Sequence, residues 1–285
     1  MAIAGPPSVE GRPRRAYHDC MDRPWPKQRI DPSGPPLPGR EWIAQEWNEV
    51  VFLHWRVDAA FVDPLLPAGT RADVLDDGES TWVGLVCFRC ANTHFPPLGR
   101  AGRLGPMGDF IEVNVRVYTV DEVGRRSVVF LSLDASRLPP VIGARLSTGL
   151  PYWWSAAAHR VAGESVSYTM TRRGTALGSR VSIDLGDPIT EPGRLEAFLT
   201  ARWGMHIRHV GGTYFMPNTH EPWSLRAASV TELDDDLVTA AGLPDWVSTQ
   251  PPDSVLYSPG VTARFSLGRR LSPVLGKLPR ARRTV

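Results

Sequence analysis

The hydrophobic pattern changes period several times along the chain, and each change marks an element. VVFLHWRV (50–57) and TWVGLVCFRC (81–90) are dense in β-branched and aromatic residues and predict strands. IEVNVRVYTV (111–120) and SVVFLSLDA (127–135) predict two more, joined by a turn at Glu122-Val123-Gly124. Residues 157–185 read as two or three strands with turns at Ala162-Gly163 and Arg172-Arg173-Gly174, and further strands fit near 205–210, 213–216 and 223–233. Helical spacing is rarer. EPGRLEAFLTAR (191–202) sets Leu195, Phe198 and Leu199 on one helix face, and 58–66 suits a short helix capped by Asp58 and cut by Pro64. Residues 138–149 read as a helix, EWIAQEWNE (41–49) as a short helix or turn, and the Gly- and Pro-rich 91–109 as a long loop. Strands dominate and follow one another as hairpins, so the expected class is α+β with a mainly antiparallel sheet.

Alternation also assigns faces. In a strand, successive side chains point to opposite sides. Val113, Val115 and Val117 therefore share one face, and Glu112, Asn114, Arg116 and Tyr118 share the other. On the following strand Val129, Leu131 and Leu133 are expected to oppose Phe130, Ser132 and Asp134. In an open sheet the polar face meets water. In a closed sheet wrapped by helices the apolar face packs outward and the polar face lines a cavity.

Composition fixes the class of molecule. The 285-residue chain is 42% apolar and 22% charged, which is globular, and it has no apolar run long enough for a membrane span. Its N-terminus lacks the apolar core of a secretory signal, so a cytoplasmic location is expected. Residues 1–40 hold nine prolines and read as a disordered arm with net charge +3; residues 266–285 carry six basic residues and no acid and read as a basic C-terminal arm. The net charge of +2 thus leaves the body, 41–265, at −7 and reads as a single domain. An acidic body repels a phosphate backbone, so no specific nucleic-acid partner is expected. Cys20, Cys87 and Cys90 are too few for a disulfide scaffold. Cys87 and Cys90 lie three apart on a strand and face opposite ways, so no zinc site is read there, and no cofactor is called for. The chain has two lysines, Lys27 and Lys277, and both fall in the arms.

The stretches VVFLHWRV, PLLPAGTRADVLDDG, TWVGLVCFR, EVNVRVY, FLSLDAS, TGLPYWW, LEAFLTAR and THEPWSL span about 47–230. In this order they resemble the YqjF-like family (domain of unknown function 2071). Arg56, Cys87 and Ile111 depart from it, standing where the family usually has proline. That family is similar in turn to acetoacetate decarboxylase. The resemblance implies a closed antiparallel β-barrel or cone flanked by a few helices, a small-molecule ligand inside it, and self-association into homo-oligomers. Thr148-Gly149-Leu150-Pro151-Tyr152-Trp153 resembles the decarboxylase motif that carries the Schiff-base lysine, with Tyr152 in the nucleophile's place and Trp153 beside it. Schiff-base chemistry needs a primary amine, and arginine stays protonated. The body has no lysine, so a Schiff-base decarboxylase is not expected.

Two functions remain open. One is a metal-independent enzyme acting on an oxo-acid or related small carbonyl compound as a lyase, isomerase or hydrolase. In it Glu112 moves a proton, Tyr152 assists and Arg116 holds a carboxylate. Asn114, His54, Asp134, Trp153 and His220 are the further candidates for substrate contact. The other is a non-catalytic pocket for an apolar or acidic ligand. At the residue scale Glu112 is either an acid/base group or half of an ion pair with Arg116, two positions beyond Asn114 on the same face.

Overall fold

A computed structural model describes residues 25–75 and 78–271. Its strands are β1 (Glu41–Asp58), β2 (Thr70–Ala72), β3 (Ser80–His94), β4 (Phe110–Asp121), β5 (Arg126–Ala135), β6 (Tyr152–Ala162), β7 (Ser165–Arg172), β8 (Gly178–Pro188), β9 (Gly204–His209), β10 (Gly212–Thr219), β11 (Arg226–Asp235), β12 (Ser254–Ser266) and β13 (Arg269–Arg270). The helices are α1 (Ala59–Val62), α2 (Leu138–Thr148), α3 (Arg194–Thr200), α4 (Leu237–Ala240) and α5 (Trp246–Thr249). The strands form one sheet in the order β13-β10-β9-β5-β6-β7-β8-β11-β12-β1-β3-β4-β2, and β4 also pairs with β5 and β10 with β12. All pairings are antiparallel except β5–β6 and β5–β9. The expected mainly antiparallel α+β class is the one observed.

The two extra pairings close the sheet on itself twice. A larger ring runs β5-β6-β7-β8-β11-β12-β1-β3-β4, and a smaller one runs β5-β9-β10-β12-β1-β3-β4. The series β12-β1-β3-β4-β5 is common to both. This explains why β1 and β3 read as continuous apolar runs. Val51, Leu53 and Trp55 pack in the larger ring against Val166, Tyr168, Met170, Val181 and Ile183, while Val50 and Phe52 pack on the other side with Val86, Phe88 and Ala135. The smaller ring is filled by Phe198 and Leu199 of α3 with Met205, Ile207, Met216 and Phe265. Val113, Val115 and Val117 share one face as expected, but that face packs chiefly on the far strands of the larger ring rather than outward on helices.

Three expectations are corrected. Residues 41–49 are strand, not helix: β1 pairs with β12 from Glu41 and with β3 from Ala44, and that two-sided pairing overrides local propensity. Strict alternation fails in β5. Arg116 lies opposite Phe130 and Val115 opposite Ser132, so Leu131 is an extra residue, a β-bulge. Beyond it the phase inverts, and Leu133 comes to lie opposite Asn114 and Asp134 opposite Val113. Third, the described part of the 1–40 arm is laid on the body. Residues 25–40 contain no helix or strand, yet Gln28 N donates to Gly124 O (2.8 Å), Trp203 Nε1 to Asp31 O (2.9 Å) and Thr219 Oγ1 to Pro35 O (3.0 Å). Lys27 Nζ donates to Val74 O at 2.9 Å and lies 3.5 Å from the buried Asp73 carboxylate. At the other end, β13 adds part of the basic arm to the sheet beside Tyr214 and Phe215. Residues 1–24 and 272–285, with Cys20 and Lys277, lie outside the described residues. Among the described residues no helix is long and apolar enough to cross a membrane.

Candidate functional site

β4 supplies the site. Glu112, Asn114, Arg116 and Tyr118 occupy one of its faces, as alternation requires, and that face looks into the smaller ring. Tyr152 reaches it from α2: Gly149 (φ +75°) ends the helix in a left-handed turn, and Leu150-Pro151 lead directly into β6 beside Leu133. Tyr152 Oη donates to Glu112 Oε2 at 2.8 Å, and Asn114 Nδ2 donates to Oε1 at 3.0 Å. Glu112 is 4% exposed. Burial raises its pKa to about 7; the bonds from Tyr152 and Asn114 pull it down, and the nearby Asp134 charge adds to the rise. Burial, with the Glu112 charge, pushes the Tyr152 phenol well above its ordinary range, so it stays a donor.

Arg116 does not pair with Glu112. Its Nη2 donates to Tyr118 Oη (3.1 Å) and to Leu199 O (3.2 Å), and its guanidinium lies 5.5 Å from the ring centres of Phe52 and Tyr118. Among the described residues no carboxylate pairs with it and no cation pairs with Glu112. Tyr118 Oη donates to Leu199 O at 3.1 Å, so His54 Nε2–H, 2.7 Å away, donates to Tyr118. Burial and the charges of Arg116 and Arg202 hold His54 well below its ordinary pKa, so it is neutral. His54 and Arg116 both crowd Gly84, where an added Cβ would meet each at 3.2 Å.

Between these groups lies a cavity of about 40 Å³, lined by Glu112, Asn114 and Arg116 and walled by Trp47, Phe52, Phe88, Phe130 and Trp223. Asn114 Oδ1, Arg116 Nε and His54 Nδ1 are buried on this face without a hydrogen-bond partner. Buried polar groups in folded proteins are ordinarily bonded, so one bare acceptor and one bare donor beside a cavity mark a place for a polar guest. None of the lining residues carries a primary amine.

The remaining candidates fall elsewhere. Asp134 is on the opposite face of the sheet, where its carboxylate accepts from Arg172 Nε (3.0 Å) and Nη2 (2.8 Å), Ser155 Oγ (2.7 Å) and Ser132 Oγ (3.0 Å). The Leu131 bulge puts it there. Trp153 is 40% exposed and turns away from Tyr152, covering Arg172 at 4.3 Å. His220 does not line the cavity but sits behind its wall, with ring centres 4.6 Å from Trp203 and 4.7 Å from Trp223. Its Nδ1–H donates to Glu221 O at 2.6 Å, and burial lowers its pKa. Cys87 and Cys90 point to opposite faces of β3, and burial pushes both thiols up. Sequence reasoning missed Trp47, Phe130, Trp223 and the Leu199 carbonyl. Trp47 was hidden by the helical reading of 41–49, whereas Trp223 stood in the THEPWSL stretch beside His220.

Comparison with known proteins agrees with this architecture. The chain is 29% identical over 211 residues to the uncharacterized protein YqjF of Bacillus subtilis (strain 168), covering 72% of this chain and 84% of that one. Its fold is similar to acetoacetate decarboxylase from Legionella pneumophila (TM-score 0.56, 14% identity, 94% and 98% of the two chains covered). It is likewise similar to an acetoacetate decarboxylase-like enzyme from Sphingomonas wittichii RW1 (TM-score 0.56, 13% identity, 82% and 94% covered). The enduracididine biosynthesis enzyme MppR, complexed with pyruvate, gives a TM-score of 0.54 at 16% identity over 83% and 92% of the chains. These likenesses show an acetoacetate decarboxylase-like fold. Residues 44–262 match domain of unknown function 2071, described as an uncharacterized conserved protein, and the chain belongs to that family.

Proposed function

We propose that the smaller ring holds a metal-independent acid/base site for a small oxo-acid or related carbonyl compound. One observation carries this reading: Glu112 is buried without a cation partner among the described residues, and Arg116 and Asn114, which hold a bare donor and a bare acceptor, line the same cavity. A carboxylate needs a donor, which Arg116 Nε offers. An enol hydroxyl needs an acceptor, which Asn114 Oδ1 offers. Glu112, with its pKa at about 7, takes a proton from the carbon beside the carbonyl, leaving an enolate, and returns it to the enolate oxygen to give the enol, while Tyr152 holds the second oxygen of Glu112. The Schiff-base route is left out because Tyr152 stands in the lysine's place and no lysine is found in the lining among the described residues. The pyruvate bound to MppR, a structure of similar fold, is consistent with a ligand of this chemical class.

A second reading, a non-catalytic binder, is favoured by the aromatic walls, which hold an apolar ligand with no chemistry at all. Thermal shifts against oxo-acids, hydroxy-acids and aromatic acids separate the two. The enzyme reading expects stabilisation of roughly 2.7 kcal/mol at about 100 times the dissociation constant, lost in Arg116→Ala. It also expects solvent-deuterium exchange at the ligand's α-carbon, lost in Glu112→Gln while binding persists. Binding without exchange leaves the carrier. No shift with any acid overturns the carboxylate anchor.

A further inference from the structure

With Trp223 where it stands, the cavity at Glu112, about 40 Å³, holds one to a few waters, and an organic acid enters only if a wall residue moves. Outside it lies a cleft of about 410 Å³, walled by Pro188, Ile189, Pro192, Ala197 and Leu225 and closed on one side by Pro32 from the N-terminal segment. The cleft and the inner cavity have one lining residue in common, Trp223. Trp223 is half-buried and lines both spaces.

We propose that the cleft receives the apolar tail of the substrate and that Trp223 is the door through which the acid head reaches Arg116, so that the substrates are oxo-acids bearing an alkyl or aryl tail; this rests on the oxo-acid reading above. Three observations support it. Among the described residues no charged side chain lines the cleft, so it suits hydrocarbon and not a second carboxylate. Trp223 lies on a segment without regular structure before β11, and its indole is held by one hydrogen bond, Nε1 to Thr200 O at 3.2 Å. Its ring contacts are aromatic faces and edges: Trp47 stacked at 6.3 Å, Phe52 edge-on at 5.2 Å and His220 at 4.7 Å. Such contacts let a ring swing at the cost of that single hydrogen bond and without baring a charge. Pro222, directly before Trp223, has its own φ fixed, and Pro188 and Pro192 line the same cleft.

The test is a calorimetric series with pyruvate, 2-oxohexanoate and 2-oxooctanoate on the full-length protein. Each buried methylene should tighten binding by roughly threefold to fourfold. Ala197→Trp fills the cleft without touching the inner cavity, and Ser224→Trp does so from the other wall should the first fail to fold. In either variant the gain in affinity of 2-oxooctanoate over pyruvate should disappear; a gain that persists in both overturns the cleft. Trp223→Ala should raise the association rate of 2-oxooctanoate at least severalfold in stopped flow; an unchanged rate overturns the door. Equal affinities across the series, with binding still lost in Arg116→Ala, overturn the cleft and leave the oxo-acid reading standing. Length-dependent binding that ignores Arg116→Ala leaves the cleft standing and overturns that reading. No binding by any acid overturns both.

Discussion

Glu112 has two donors and no cation, so its proton is governed by burial. An acid whose pKa is raised in the folded state binds more protons there than in the unfolded chain, so stability falls as pH climbs from its unfolded value to its folded one. For Glu112 that window runs from 4.5 to about 7, and Asp235, raised by burial to about 6, acts with the same sign. Glu112→Gln should therefore flatten the decline by up to about 3 kcal/mol, leaving the part due to Asp235. Urea titrations at a series of pH values read this directly, and an unchanged slope would place the Glu112 proton elsewhere. Tyr118 is the second telling residue. Tyr118→Phe leaves His54 Nε2–H buried without an acceptor and should cost about 1–3 kcal/mol, measured by denaturation. Glu112, Asn114 and Arg116 were legible because period-two alternation needs no knowledge of the partner strand. The bond from Tyr152 to Glu112 was not legible, because forty residues and a helix separate them.

At the scale of elements, one inserted residue decides what β5 contributes. Leu131 inverts the phase of the strand, and Asp134 leaves the Glu112 face for a buried ion pair with Arg172. Pattern reading cannot place a bulge, because it is a property of the β4–β5 register and not of β5 alone. Asp134→Ala strips a buried guanidinium of its partner and should destabilise by about 3–5 kcal/mol. It should leave oxo-acid affinity unchanged in calorimetry, while Arg116→Ala should do the reverse. The misreading of 41–49 has a related cause. Trp47 packs among Phe88, Trp223 and Phe265, and those contacts are set by strands distant in sequence. By contrast, the hairpins β4–β5 and β6–β7 and the amphipathic α3 were legible, because turn residues and local periodicity specify them.

At the scale of the whole molecule, the N-terminal segment is part of the fold from Trp25 onward. Arg71 covers the Trp25 ring at 4.6 Å, and Lys27 faces Asp73, which also binds Arg126 and Arg202. Truncation to residue 41 should lower stability by about 1–2 kcal/mol and the melting temperature by roughly 2–8 °C. A scanning calorimetry trace with no change would show the segment to be dispensable. Proline content alone suggested an unattached arm, and the anchoring bonds escaped notice because they run mostly through backbone carbonyls.

The series of strands common to both rings has a longer reach. From Val50 to Trp55 in β1, and from Thr81 to Phe88 in β3, every side chain is buried, because each lies on one interior or the other. Ordinary antiparallel sheets keep a wet face on which substitutions accumulate cheaply. These strands have none, so mutational drift should be concentrated in β6, β8 and β11, whose outward positions are exposed. A saturation library of the chain should tolerate polar replacements there and reject them throughout the common strands, on both phases of the alternation.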